Sequence, residues 1–242
     1  LCFNRFLMEH IREDLGTNHP NISVFTIDGL YTKLSGNTPF FDSPEERNDA
    51  ILELLMDWKH LKWPFKHVIV DEGQDFYADH LQILQEIAES QDGCFYVFYD
   101  KNQFVQGQEY PEWLDHTECR LVLSHNCRNT HEIALTSTRP IDVPEKRIKM
   151  NPFMDRSEQP KPTLFFVPNN DALQEYVLRL IRKYSDAKYK KSDIVLLSLK
   201  AEGMSALERE HLIPELAAIC SDKKQSNKVL FTTVRKFKGL EA

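Results

Sequence analysis

Two adjacent carboxylates, Asp71 and Glu72, follow directly on the β-branched run Val68, Ile69 and Val70, and Gln74 and Asp75 come next. Three β-branched residues without alternation predict a parallel strand covered on both faces. Asp71 and Glu72 then stand at its carboxyl end, the edge at which open α/β sheets receive ligands, so they are placed for a metal ion or a phosphate. The plainer alternative is an acidic turn capping the next helix. Asp79, with Gln82 three residues on, already has the N-cap pattern for that helix.

Three more apolar runs end in polar clusters of the same character. Asp100 and Gln103 follow Cys94 to Tyr99, Asn126 and Arg128 follow Leu121 to Leu123, and Lys236, Lys238, Gly239 and Glu241 follow Val229 to Val234. One polar strand end is ordinarily a turn. Four in one chain point to several strands presenting chemistry at a common edge.

The elements that must position these groups alternate along the chain. Strand-like runs also occur at Val24 to Ile27, Thr163 to Val167 and Ile194 to Leu199, and helical periodicity lies between several of them. Leu81, Leu84, Ile87 and Ala88 share one helical face; Leu173, Val177, Leu180 and Ile181 share another, with Asn170 placed as its cap. Such alternation predicts an α/β fold built from βαβ units with a mostly parallel sheet. Pro140, Pro144, Pro152, Pro160 and Pro162 punctuate a polar connection, and there is no internal repeat or low-complexity tract.

Composition narrows the function classes. At 242 residues and 41% hydrophobic content the chain suits one large domain or two small ones. Its five cysteines (Cys2, Cys94, Cys119, Cys127, Cys220) are scattered and never spaced C-x-x-C, which argues for a reducing, cytoplasmic compartment and against a zinc site or disulfide framework. His125 and His131 near Cys119 and Cys127 fit no common metal spacing and read as strand-end residues. No apolar run is long enough to span a membrane, and no secretory signal is present. A net charge of −7 weighs against bulk coating of nucleic acid. Lysines and arginines nevertheless gather late in the chain, either as a solvated face or as a local groove. Both ends, "LCFNRF" and "KGLEA", read as interrupted core elements, so the chain is expected to be a piece of a longer protein.

Taken in order, these residues resemble the superfamily 1 helicases of the UvrD/Rep type. "LCFNRFLMEHI" is similar to motif Ia, "VFTIDGL" to Ib, "VIVDEGQD" to motif II (Walker B), "YDKNQ" to III, "LSHNCRN" to IV and "TTVRKFKGLE" to V. The resemblance implies two RecA-like parallel-sheet regions: 1-118 with motifs Ia, Ib, II and III and a short insertion near 31-66, and 119-242 with motifs IV and V and no large accessory insertion. It also implies a monomeric ATP-dependent helicase or translocase core acting on single-stranded DNA, RNA not excluded, with no membrane partner. Asp71 would hold Mg²⁺, Glu72 would orient or deprotonate the attacking water, and Gln103 would sense the γ-phosphate of ATP. Arg128 would act as an arginine finger in cis, its plainer alternative being a surface salt bridge. Gly239 would let the backbone approach the phosphates, and Glu241 would reach the ribose. Phe3, Asn4 and Arg5 would meet the strand, with Phe3 alternatively in the core; Thr26, Thr232 and Thr233 would bond its backbone.

The departures are specific. No G-x-x-x-x-G-K-[ST] P-loop occurs, because none of the eight glycines precedes a lysine, and motif VI is missing. Asp28 stands where the family commonly has histidine, Tyr99 where glycine is usual, and Gln106 where a stacking tyrosine is common, leaving Phe104 as its substitute. The chain alone is therefore expected to be catalytically incomplete. Its alternative reading is a non-catalytic RecA-like module that binds nucleic acid or protein.

Overall fold

A computed structural model describes residues 1–38, 40–100, 113–114, 117, 119–141, 148–151, 161–200, 204–207, 216–218 and 228–239. The chain divides into two compact units, the first formed by Leu1–Tyr110 with Pro168–Ala242 and the second by Pro111–Val167. The division expected from motif order kept 168–242 with the residues after 118; compactness groups them with the amino-terminal residues instead. The architecture is mixed α/β with short parallel strand pairs.

In the first unit, β1 (Val68–Val70) pairs in parallel with β2 (Phe95–Val97), joined by α4 (Ala78–Ser90). Leu81, Leu84, Ile87 and Ala88 of α4 are fully buried, as their spacing requires. Asp79 does not cap this helix: Tyr77 is the N-cap residue, without a side-chain bond, and Asp79 lies in the first turn, where its charge favours the helix dipole. On the far side of β1 the chain start continues the sheet without forming a full ladder. Leu1 N donates to Ile69 O at 2.5 Å, Asp71 N to Leu1 O at 2.8 Å, and Cys2 N to Phe25 O at 3.0 Å.

The run Val24 to Ile27 is not a strand. Thr26, still in extended backbone, caps α2 (Ile27–Ser35), its hydroxyl accepting from Gly29 N at 3.1 Å. The residues expected as a short insertion hold α3 (Pro44–Met56), whose Ile51 and Leu55 are buried where it packs between α2 and α4. A small cluster of Cys2, Leu7 and Val24 seats α1 (Arg5–Leu15).

A second sheet in the same unit has the order β5-β7-β6, all parallel, from β5 (Val195–Ser198), β6 (Leu216–Ala218) and β7 (Val229–Thr233). Its core is Val229 and Phe231 against Val177 and Ile181 of α6 (Asn170–Asp186). Leu178, not Leu180, joins Leu173 at the edge of that cluster, and Asn169, not Asn170, caps the helix by accepting from Ala172 N at 2.8 Å. The four-residue α7 (Val234–Phe237) follows β7 directly.

The second unit contains β3 (His125–Asn126), paired in parallel with β4 (Lys149–Met150), and α5 (His131–Thr138). The runs Leu121 to Leu123 and Thr163 to Val167, expected as strands, form no ladder among the described residues; in the first case pairing begins only at His125. Leu121 and Leu123 are accordingly exposed.

Candidate functional site

At the end of β1 the chain turns sharply. Glu72 adopts a left-handed backbone at φ 54°, which a non-glycine residue takes up only when its surroundings fix it. Gly73 follows because a Cβ there would lie 2.4 Å from Val97 Cγ1. A 3-10 turn over Gly73–Asp75 then buries two polar side chains, those of Gln74 and Asp75. Gln74, almost fully buried, donates from Nε2 to Glu72 Oε2 at 2.5 Å, and its Oε1 accepts from Asp100 N at 3.1 Å, so it ties Glu72 to the residues beyond β2. Asp71 Oδ1 accepts from Glu72 N at 3.0 Å.

Onto this acidic end comes the turn after α7. Lys238 Nζ lies 2.5 Å from Asp75 Oδ2 and 3.5 Å from Glu72 Oε2, and 5.8 Å from the centroid of the Phe3 ring. Asn4 caps α1 by accepting from Leu7 N at 2.8 Å, and with its amide it donates to Lys238 O at 2.9 Å. Gly239 sits at φ +83°, and a Cβ there would come within 2.8 Å of Leu7 Cδ2. Three segments far apart in sequence, read as motifs Ia, II and V, therefore share one set of contacts.

Beside them runs a groove of about 890 Å³. Phe3, Phe6, Phe41 and Phe76 give it an aromatic lining, and Arg5, Arg47, Arg235 and Lys236 bring positive charge. Much of that charge is matched locally. Arg47 binds Asp28 through two bonds of 2.6 and 2.9 Å, and Arg5 pairs with Glu9 at 2.7 Å. Asp28 is thus answered by an arginine from α3. His80 lies in the groove wall, its ring nitrogen Nε2 3.2 Å from Asn48 O; burial pushes the imidazole below its ordinary value of 6.5 and keeps it neutral.

Asp71, Glu72 and Gly239 are thus brought to one region with Phe3, Asn4 and Arg5. Phe3 faces the groove rather than the core. Thr26 and Thr233 use their hydroxyls as helix caps, Thr233 accepting from Lys236 N at 3.2 Å, while Thr232 is buried. Arg128 lies in the second unit, exposed, with its backbone N–H bonded to Asn126 Oδ1 at 3.1 Å. Gln103, Phe104 and Glu241 lie outside the described residues. Sequence reasoning gave no role to Gln74, Asp75 and Lys238, noted only as parts of polar strand ends, or to Arg47, the partner of Asp28.

Among the described residues no group of three or more His, Cys, Asp or Glu side chains forms a metal cage. Mg²⁺ needs none, since one or two carboxylates with phosphates and water suffice. Among the described residues, no helix is long and apolar enough to cross a membrane. No protein-family model, curated protein or solved structure matches the chain.

Proposed function

We propose that the first unit carries a groove for single-stranded DNA joined to the acidic half of a nucleotide site, as part of an ATP-driven helicase or translocase of the UvrD/Rep type. One observation supports this reading above the others: the turn at Lys238 and Gly239 meets both Asn4, at the groove, and Glu72 and Asp75, at the strand end. Aromatic faces interleaved with guanidinium and ammonium groups suit stacked bases and a phosphate backbone. The groove's modest surplus of positive charge, in a chain of net charge −7, implies weak affinity with a shallow salt slope.

The residues present fit a magnesium nucleotide in part. Asp71 uses Oδ1 on Glu72 N, and a carboxylate oxygen is the hard ligand that Mg²⁺ prefers. When bound, that ion would neutralise charge developing on the phosphates. Glu72 is held by Gln74 and Lys238, a hold that would keep its carboxylate in place as water-orienting base. Phosphate anchoring is the missing part, because the 242 residues contain no P-loop.

Fluorescence anisotropy with a labelled oligo(dT) of about 16 nucleotides tests the groove. Binding on the order of 10⁻⁵ M is expected at low salt, weakening as salt rises by the slope of a few phosphate contacts, with duplex DNA a poorer competitor. No binding at low salt, or equal preference for duplex, would overturn the groove. The same preparation is expected to hydrolyse no ATP with or without the oligonucleotide, since the phosphates lack their backbone cradle. Magnesium-dependent turnover abolished by Glu72→Gln would show that another segment replaces the P-loop.

A second reading is a strand-binding module without catalysis. A nucleotide-independent oligonucleotide affinity would support it.

A further inference from the structure

Beyond its hold on Glu72, Lys238 is among the most constrained cations of the first unit. Its side chain is 12% exposed and that of its partner Asp75 only 1%, with 2.5 Å between Nζ and Oδ2. Its own carbonyl accepts from Asn4 Nδ2, and the next residue, Gly239, packs so closely on Leu7 that a side chain there would collide. The turn is thereby fixed to α1 on one side and to the acidic strand end on the other. Arg235 and Lys236, one turn earlier, line the groove.

We propose that Lys238 is a positioning residue for strand binding: its pairing with Asp75 locks the turn after α7, and so holds Arg235 and Lys236 on the groove wall. The inference rests on the strand-binding reading. A buried carboxylate that loses its counter-charge is strongly disfavoured, so Asp75 fixes Lys238 as firmly as Lys238 fixes Asp75. Because the ammonium is engaged by carboxylates, it is not a phosphate contact.

This assignment reverses what charge alone dictates. Asp75 lines the groove, and Asp75→Asn removes a negative charge from beside an anionic ligand. Electrostatics alone would tighten binding. If the pair positions the turn, binding weakens instead.

The test is oligo(dT) anisotropy over a salt series with wild type, Lys238→Met, Asp75→Asn and the double variant, each checked for cooperative thermal unfolding. Each single change is expected to weaken binding about tenfold, and the double change no more than either single one, as for two halves of one unit. The slope of log Kd against log salt should stay as in wild type, since no phosphate contact is lost. Should Lys238→Met fail to fold, Lys238→Gln retains a neutral donor to Asp75 and is expected to weaken binding about threefold with the same unchanged slope. Tighter binding by Asp75→Asn, multiplicative losses in the double variant, or a slope reduced by about 0.7 in Lys238→Met would each overturn the inference while leaving the groove intact. A wild-type chain that binds no oligonucleotide would overturn the strand-binding reading, and this inference with it.

Discussion

Gly93→Ala is expected to destabilise the first unit by about 3 kcal/mol or more, beyond the ordinary range for an added methyl group. A Cβ at this position would stand 1.8 Å from Lys66 O and 2.9 Å from Ala88 O. Both are backbone atoms, so no rotamer change relieves the clash. The surroundings are tightly bonded as well. Gly93 N donates to Ala88 O at 2.8 Å to close α4, Cys94 N donates to His67 Nδ1 at 3.0 Å, and Val68 N donates to Cys94 O at 2.9 Å. Relief therefore means separating the entries of β1 and β2, and β1 delivers Asp71 and Glu72. Urea unfolding followed by circular dichroism should show a large fall in midpoint with little change in slope. Gly73→Ala offers an internal comparison, since its 2.4 Å clash is with the Val97 side chain and not with backbone. A wild-type midpoint for Gly93→Ala would mean that Lys66 and Gly93 do not approach as closely as this fold requires.

The parts legible in the sequence were those governed by local periodicity. The buried face of α4 could be read because Leu81, Leu84, Ile87 and Ala88 repeat at helical spacing, and β1 because three β-branched residues stand together. Caps were harder, since adjacent residues compete for them. Asn169 and Asn170 have the same side chain, and only the residue whose oxygen reaches Ala172 N becomes the cap. The runs Leu121 to Leu123 and Thr163 to Val167 have strand composition, but a strand needs a partner, and composition does not say where pairing starts. In the site, Asp71 and Glu72 were legible as a strand end. The Lys238–Asp75 pair, 163 residues apart, was not, because nothing local to either residue requires the other. Asp28 gave half a signal: a carboxylate in a basic groove calls for a counter-charge, but the sequence does not say that it comes from Arg47.

Replacing Arg235 and Lys236 together by alanine is expected to weaken oligo(dT) binding by about 30-fold at low salt and to flatten the salt slope by about 1.4, at roughly 0.7 per phosphate contact. Their place in the groove lining, beside the turn that Lys238 fixes, selects this pair. Arg235 and Lys236 stand on α7 at the groove lining, Arg235 in an exposed position. The substitutions should leave the local fold in place. Thr233 caps α7 through the backbone N of Lys236, which alanine retains, and alanine is the best helix former. Unchanged thermal unfolding together with weaker, less salt-dependent binding would locate the phosphate contacts on α7. Weaker binding with an unaltered slope would mean that the pair shapes the groove rather than meeting phosphate. Loss of affinity on Arg47→Ala at the full phosphate slope, with the α7 variant unaffected, would instead mean that Asp28 releases Arg47 to the incoming strand, and that the Asp28–Arg47 pair rather than α7 is where the backbone is read.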